Sequence, residues 1–203
     1  MSQPDTDQLF KGRYRKDSTR LKYWDYGSNA AYFITICTKN RVNYFGEIVD
    51  HEMRLTEIGK VAVEEWHKTK ELRQDMNIEL GDFTVMPNHI HGIIIIGENQ
   101  YNSKDAMYGV STDPQPDQSI QDGKGKDAMH GVSAFGPQSK NLSSIIRGYK
   151  SSVTIQAKKL NPAFSWQPRY YDHIIRDDRA YENISNYIIT NPARWHEDKF
   201  FEG

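Results

Sequence analysis

Cysteine is almost missing from this chain. One residue, Cys37, stands among 203, so no intrachain disulfide and no cysteine-built zinc site can form. Any metal must be held by His, Asp, Glu or amide oxygens. Long apolar runs are missing too: stretches such as Ile93 to Ile96 fall far short of the roughly 18 residues that a membrane helix needs. The N-terminal MSQPDTDQLFKGRYRK lacks the apolar stretch of a secretory signal, which predicts a cytoplasmic, nucleoid-associated protein without membrane contact. Charge of one sign is not in excess, with 26 Lys and Arg against 27 Asp and Glu, so the total argues neither for nor against nucleic acid. With 37% apolar and 26% charged residues the chain has the composition of an ordinary globular protein, and its length suits one domain better than two.

The distribution of charge says more than its sum. Between Lys11 and Lys22 six basic residues face one acid, Asp17, interleaved with Tyr14 and followed by Tyr23 and Trp24. From Lys140 to Arg176 seven basic residues face one acid, Asp172. Basic stretches with aromatics nearby suit phosphate neutralisation plus base stacking. A solvated charged surface reads the same way.

Residues 1–28 read as a basic, polar arm and 29–203 as a single domain. The first strong strand lies in AYFITICT, and Met53 to Leu72 carries Leu55, Ile58, Val61, Val63 and Trp66 at nearly helical spacing. Asn77 to Met86 reads as a strand, Pro87 and Asn88 as a turn, and His89 to Ile96 as a strand apolar on both faces, hence central and covered. From about 98 to 140 the composition turns to Gly, Ser, Asp, Gln and Pro, a low-complexity insertion read as a harmless loop. Within it KDAMYGVS recurs as KDAMHGVS, a local duplication with too few copies for a solenoid; its His130 reads as a surface residue. Order returns with the helix LSSIIRGYKSSVTIQAKKL, the strand SWQPRYYDHIIR, and a helix from about Asp178 to Thr190 that Asp177 or Asp178 caps and Pro192 ends.

On a strand, His89 and His91 point to one face and Ile90 to the other, so both imidazoles can grip one metal. A His-X-His pair alone is a weak signal. Tyr187 and Asn191, at i and i+4, share a face of the last helix and can present a phenol and an amide carbonyl to the same phosphate. The competing reading makes Tyr187 a core aromatic and Asn191 a helix cap. His173 reads as a packing residue or a DNA contact, and Trp166 as a base stacker or a buried anchor. Arg147 and Lys150 fall on opposite sides of the Tyr149 stripe, with at least one expected at phosphate.

The His-hydrophobic-His pair after Pro-Asn, then YIITNP near the C-terminus, resembles the HUH single-strand DNA transposases with one catalytic tyrosine, most closely the REP-associated tyrosine transposases. FITICT, SIIRGYKSSVT and WQPRYYDHIIRDDRAYENISNYI extend the likeness from about Ala31 to Trp195, apart from the insertion. The resemblance implies an α/β (α+β) fold: a ferredoxin-like palm whose central antiparallel sheet has helices packed on one side, with a C-terminal tyrosine-bearing helix. It further implies Tyr187 as nucleophile, His89, His91 and Asn191 as ligands of Mg²⁺ or Mn²⁺, and a 5′-phosphotyrosine intermediate. The expected partner is single-stranded DNA in hairpin-forming repeats, contacted by Arg13, Arg15, Lys16, Arg147, Lys150 and Arg169, with the protein a monomer or homodimer. The rival reading is a non-catalytic or domesticated single-strand-binding module on the same fold. A metallo-hydrolase of the His-X-His-X-Asp-His kind would need Asp and His directly downstream, where Gly92, Ile93 and Ile94 stand, and is a remote rival.

Overall fold

The computed structural model describes residues 24–103 and 139–201, Leu21, and the backbone of 9–10 and 13–14. Arg15, Lys16, the duplicated KDAM segments and His130 lie outside the described residues. Two short strands, β1 (Leu9–Phe10) and β2 (Arg13–Tyr14), pair antiparallel in the arm.

Among the described residues the main sheet is built from β3 (Ala30–Cys37), β6 (Ile78–Met86), β7 (His89–Ile96) and β8 (Tyr171–Ile175), in the order β6-β7-β3-β8, with every neighbour antiparallel. With α1 (Glu57–Glu71) between β3 and β6 and α2 (Leu142–Leu160) between β7 and β8, the chain traces the β-α-β-β-α-β path of the ferredoxin-like fold. A hairpin, β4 (Gly46–Val49) and β5 (Glu52–Leu55), is added before α1, and α3 (Asp178–Thr190) after β8.

The strand alternation of β3 divides the molecule. Tyr32, Ile34 and Ile36 face one side and join Ile90, Ile94 and Ile96 of β7, Trp66 of α1, and Ile145, Ile146, Tyr149 and Val153 of α2 in one buried core. Phe33 and Ile93 face the other side, where a smaller cluster gathers Ile175 and, from α3, Ile188. Helices α1 and α2 thus cover one face, and the tyrosine helix crosses the opposite one. Gly92 permits the close packing of the larger core, because a Cβ there would sit 2.5 Å from the Trp66 ring.

Local signals set the boundaries. The segment expected to start a helix at Met53 is first a strand: Asp50 and His51, both with positive φ (52° and 66°), form the two-residue turn of the β4–β5 hairpin. The Thr56 side chain then caps α1 by accepting from Gly59 N at 3.1 Å. Asn141 and Ser144 form a capping box on α2, and Asp177 caps α3 through Ala180 N at 2.8 Å. The strand expected across SWQPRYYDHIIR shrinks to Tyr171–Ile175, since Pro168 and the left-handed Arg169 (φ 69°) hold the preceding residues irregular. The insertion leaves at the end of β7 remote from the histidines. Its described ends meet at Asp75, which accepts from Tyr101 Oη at 3.0 Å and from Lys140 Nζ.

Candidate metal and tyrosine site

The histidines stand at the start of β7, where the central strand emerges beside α3 and the 3₁₀ segment Pro192–Glu197. Both are fully buried, at 0% and 1% exposure. His89 Nδ1 lies 2.9 Å from Asn88 Oδ1, while Asn88 Nδ2 donates to the Phe200 carbonyl at 2.9 Å. An amide oxygen only accepts, so the His89 proton sits on Nδ1 and Nε2 presents a lone pair. His91 Nδ1 lies 2.8 Å from Thr35 Oγ1, its cross-strand partner in register, and a hydroxyl supports either tautomer of the ring. The two Nε2 atoms face each other at 3.0 Å.

Burial is the main reason both rings stay neutral. It pushes the His91 pKa down to about 3, with the Lys199 charge adding to the effect. It also sends His89 well below its ordinary value, aided by His91, Arg41 and Lys199. Neutral imidazoles with converging nitrogens and second nitrogens held by hydrogen bonds are prepared metal ligands.

Tyr187 and Asn191 reach the same place from α3. Tyr187 Oη is 3.2 Å from His91 Nε2 and donates to Asp198 Oδ2 at 3.4 Å. The ring meets His91 at 5.2 Å and Phe33 at 6.1 Å between centroids, both edge-on, and stays 38% exposed. Burial, then the Asp198 carboxylate, raises its pKa. Asn191 is buried at the helix end; its Nδ2 donates to Asp198 Oδ2 at 3.2 Å, and its Oδ1 has no hydrogen-bond partner among the described residues. A buried amide oxygen left bare is costly by about 1–3 kcal/mol, and a cation resolves that cost. The donor set therefore fits a divalent metal. His89, His91 and Asp198 offer atoms within 4.8 Å of one another, with the Asp198 side chain 3% exposed. The cleft encloses about 480 Å³, with Thr190, Arg194 and Lys199 on its walls.

Asp198, Thr35 and Asn88 escaped the sequence reading. Thr35 had a signal, a lone polar residue in an apolar strand. Asp198 had none: it follows the helix in an irregular tail, and folding alone returns it to the histidines. The tail also brings Phe200 against His89, at 4.7 Å between centroids, with Arg41 4.0 Å from the Phe200 ring.

The residues expected at DNA do not share a face. Arg147 and Lys150, expected to diverge, line one pocket with Trp166, between α2 and the loop before β8, on the side of the sheet opposite the histidines. Exposed Arg169 lies in the loop between. Lys150 Nζ donates to the carbonyls of Gln167 at 2.8 Å and Arg169 at 3.1 Å. Trp166 serves as an anchor, with Nε1 bonded to the Lys150 carbonyl and its ring against Phe45 and Phe164. His173, expected to pack, is exposed on β8.

Among the described residues no helix is long and apolar enough to cross a membrane. No protein-family profile matches the chain. A solved structure of a REP-associated tyrosine transposase bound to a REP hairpin superposes with a TM-score of 0.52 at 21% identity, covering 90% of this chain and 77% of that one. The fold is thus transposase-like. At 32% identity over 197 residues, 97% of this chain and 98% of the other, the chain belongs to one family with an uncharacterized protein of Haemophilus influenzae.

Proposed function

We propose that the protein is a member of the REP-associated tyrosine transposases, a metal-dependent enzyme that nicks and rejoins single-stranded DNA through Tyr187, acting on hairpin-forming repeats. The observation that carries the reading is the Tyr187 hydroxyl 3.2 Å from His91 Nε2, where an open cleft reaches the buried histidine pair. A non-catalytic binding module has no use for a phenol, two neutral imidazoles and a bare amide oxygen in one cleft.

His89, His91 and Asn191 would hold the ion, with Asp198 as a further donor that the structure adds. A bound divalent cation would polarise the scissile phosphate and offset the charge that develops on it. Mg²⁺ or Mn²⁺ would suit the oxygen donors, and the two imidazoles favour Mn²⁺.

In the chemical step Tyr187 Oη attacks phosphorus and passes its proton towards Asp198, while the P–O3′ bond breaks and the leaving O3′ takes up a proton from solvent water. The products are a 5′-phosphotyrosine and a free 3′-hydroxyl, and attack by another 3′-hydroxyl reverses the step on a new strand. Asp198 has a second effect. Together with burial, which is the larger cause, its carboxylate opposes phenolate formation, and a bound cation would offset both. Arg194 and Lys199 at the cleft, and Arg13, Arg15, Lys16, Arg147, Lys150 and Arg169 beyond it, would neutralise phosphates.

The test is incubation of the full chain with end-labelled single strands from repeats flanking its gene, with Mn²⁺ or Mg²⁺, followed by a denaturing gel. The expected result is a metal-dependent covalent band that Tyr187→Phe abolishes. DNA retention without cleavage across several repeats would establish the binding-module reading instead.

A further inference from the structure

A second pocket, of about 510 Å³, opens on the opposite side of the sheet between α2 and the loop that precedes β8. Ile146 and Ile155 give it an apolar floor, Trp166 and Tyr170 aromatic walls, and Arg147 and Lys150 two cations. Ile155 is 61% exposed and lines the pocket with Trp166 and Tyr170. The Trp166 indole is rigid, pinned by its bond to the Lys150 carbonyl at 3.1 Å and by Phe45, Phe164 and Tyr149 behind it. Lys150 in turn braces the loop through the Gln167 and Arg169 carbonyls. A rigid aromatic surface beside a braced lysine and an exposed arginine matches the chemistry of a flat, π-faced, anionic ligand.

The position of the pocket identifies which ligand. Tyr170 lines this pocket and Tyr171, the next residue, lines the cleft that holds Tyr187. The two residues stand where the chain enters β8, the edge strand of the sheet. A single strand of DNA passing over that edge therefore meets both cavities, with exposed Tyr171 and Arg169 along its path.

We propose that the pocket between α2 and the Trp166–Tyr170 loop seats an unpaired nucleobase of the same DNA strand that is cut in the cleft, the strand crossing the β8 edge at Tyr170 and Tyr171. The inference rests on the reading of the protein as a single-strand DNA enzyme and adds a second contact remote from the scissile phosphate. Seating one base by stacking changes binding by about tenfold or more, enough to select substrates with an unpaired nucleotide at a fixed distance from the cut.

The test uses the full chain and single-stranded repeat oligonucleotides in which thymines are replaced one at a time by 5-bromodeoxyuridine. Irradiation followed by mass spectrometry is expected to place a crosslink from one position on Trp166 or Tyr170. Arg147→Glu and Ile155→Glu, both at exposed positions that should fold normally, are expected to weaken binding about tenfold, and Arg147→Glu to flatten its salt dependence by about one unit of slope. Crosslinks confined to the cleft, with binding unchanged in both variants, would overturn the pocket while leaving the Tyr187 adduct intact. Wild-type protein that neither binds nor cuts these strands would instead remove the functional reading and the pocket with it.

Discussion

The two faces of the sheet are made of the same strands and do opposite work. On the face covered by α1 and α2, Tyr32, Ile34, Ile36, Ile90 and Ile94 are buried with Trp66, Tyr149 and Val153, an apolar interior whose burial drives folding. On the other face the same strands bury Thr35, His89 and His91, with Asn191 opposite, beside a small apolar cluster. Polar groups are buried there in a pre-set arrangement that costs stability, a cost that the proposed cation would offset. One face holds the fold and the other spends part of that stability on a site.

The largest effect expected on this contrast comes from Trp66→Ala, which removes a ring stacked on Phe83 at 4.5 Å and facing Tyr149 edge-on. It should cost about 3–5 kcal/mol and lower the melting temperature by roughly 10 °C. His89→Gln tests the other face by calorimetry. Without metal it should change stability far less than Trp66→Ala does. With Mn²⁺ at about one hundred times its dissociation constant the wild type should gain about 2.7 kcal/mol, and the variant should lose that gain. A metal-free His89→Gln as damaged as Trp66→Ala would break the contrast.

Ser185→Ala sharpens it. The Ser185 hydroxyl donates to Asp82 beside the β6 bulge, and the hydroxyl of Tyr181 fills the space over Gly81, so these contacts fix α3 where its apolar cluster is thin. Loss of the bond should cost about 1 kcal/mol and speed hydrogen exchange in α3 selectively over α1 and α2. The smallest effect belongs to Glu65 on the apolar side. Burial alone would raise its pKa, but hydrogen bonds from Lys68 at 2.9 Å and Gln156 at 2.6 Å, with Ser152, lower it overall. Its stabilisation is thus complete above the unfolded carboxyl pKa of about 4.3 and fades as pH falls through the lower folded value. Glu65→Gln should flatten the stability profile in that acid window, with urea titrations at several pH values as the measure.

Much of this was legible in the chain. The bounds of α2, α3 and β7 follow from periodicity and punctuation: Asn141 before the apolar run, Asp177 before Asp178, the Pro87–Asn88 turn, Pro192 after Asn191. The β4–β5 hairpin was not legible, because Asp50-His51 is a rare pair for a turn needing positive φ at both residues, and Leu55 and Ile58 continue a helical spacing by chance. Spacing put His89 with His91, and Tyr187 with Asn191, since strand and helix repeats are local. Asp198 was silent for the opposite reason, lying in an irregular tail whose course is set by long-range packing of Trp195 and Phe200 against the histidine end of β7.

The sequence by itself determined which residues could share a face, because a strand repeats every two residues and a helix every 3.6. The tertiary structure alone decided which faces meet: antiparallel register set Thr35 beside His91, the crossing of α3 brought a phenol within 3.2 Å of an imidazole nitrogen, and the fold of the tail returned a carboxylate to both. Those meetings depend on contacts between residues 56 and 96 positions apart, and no local pattern encodes a distance of that kind.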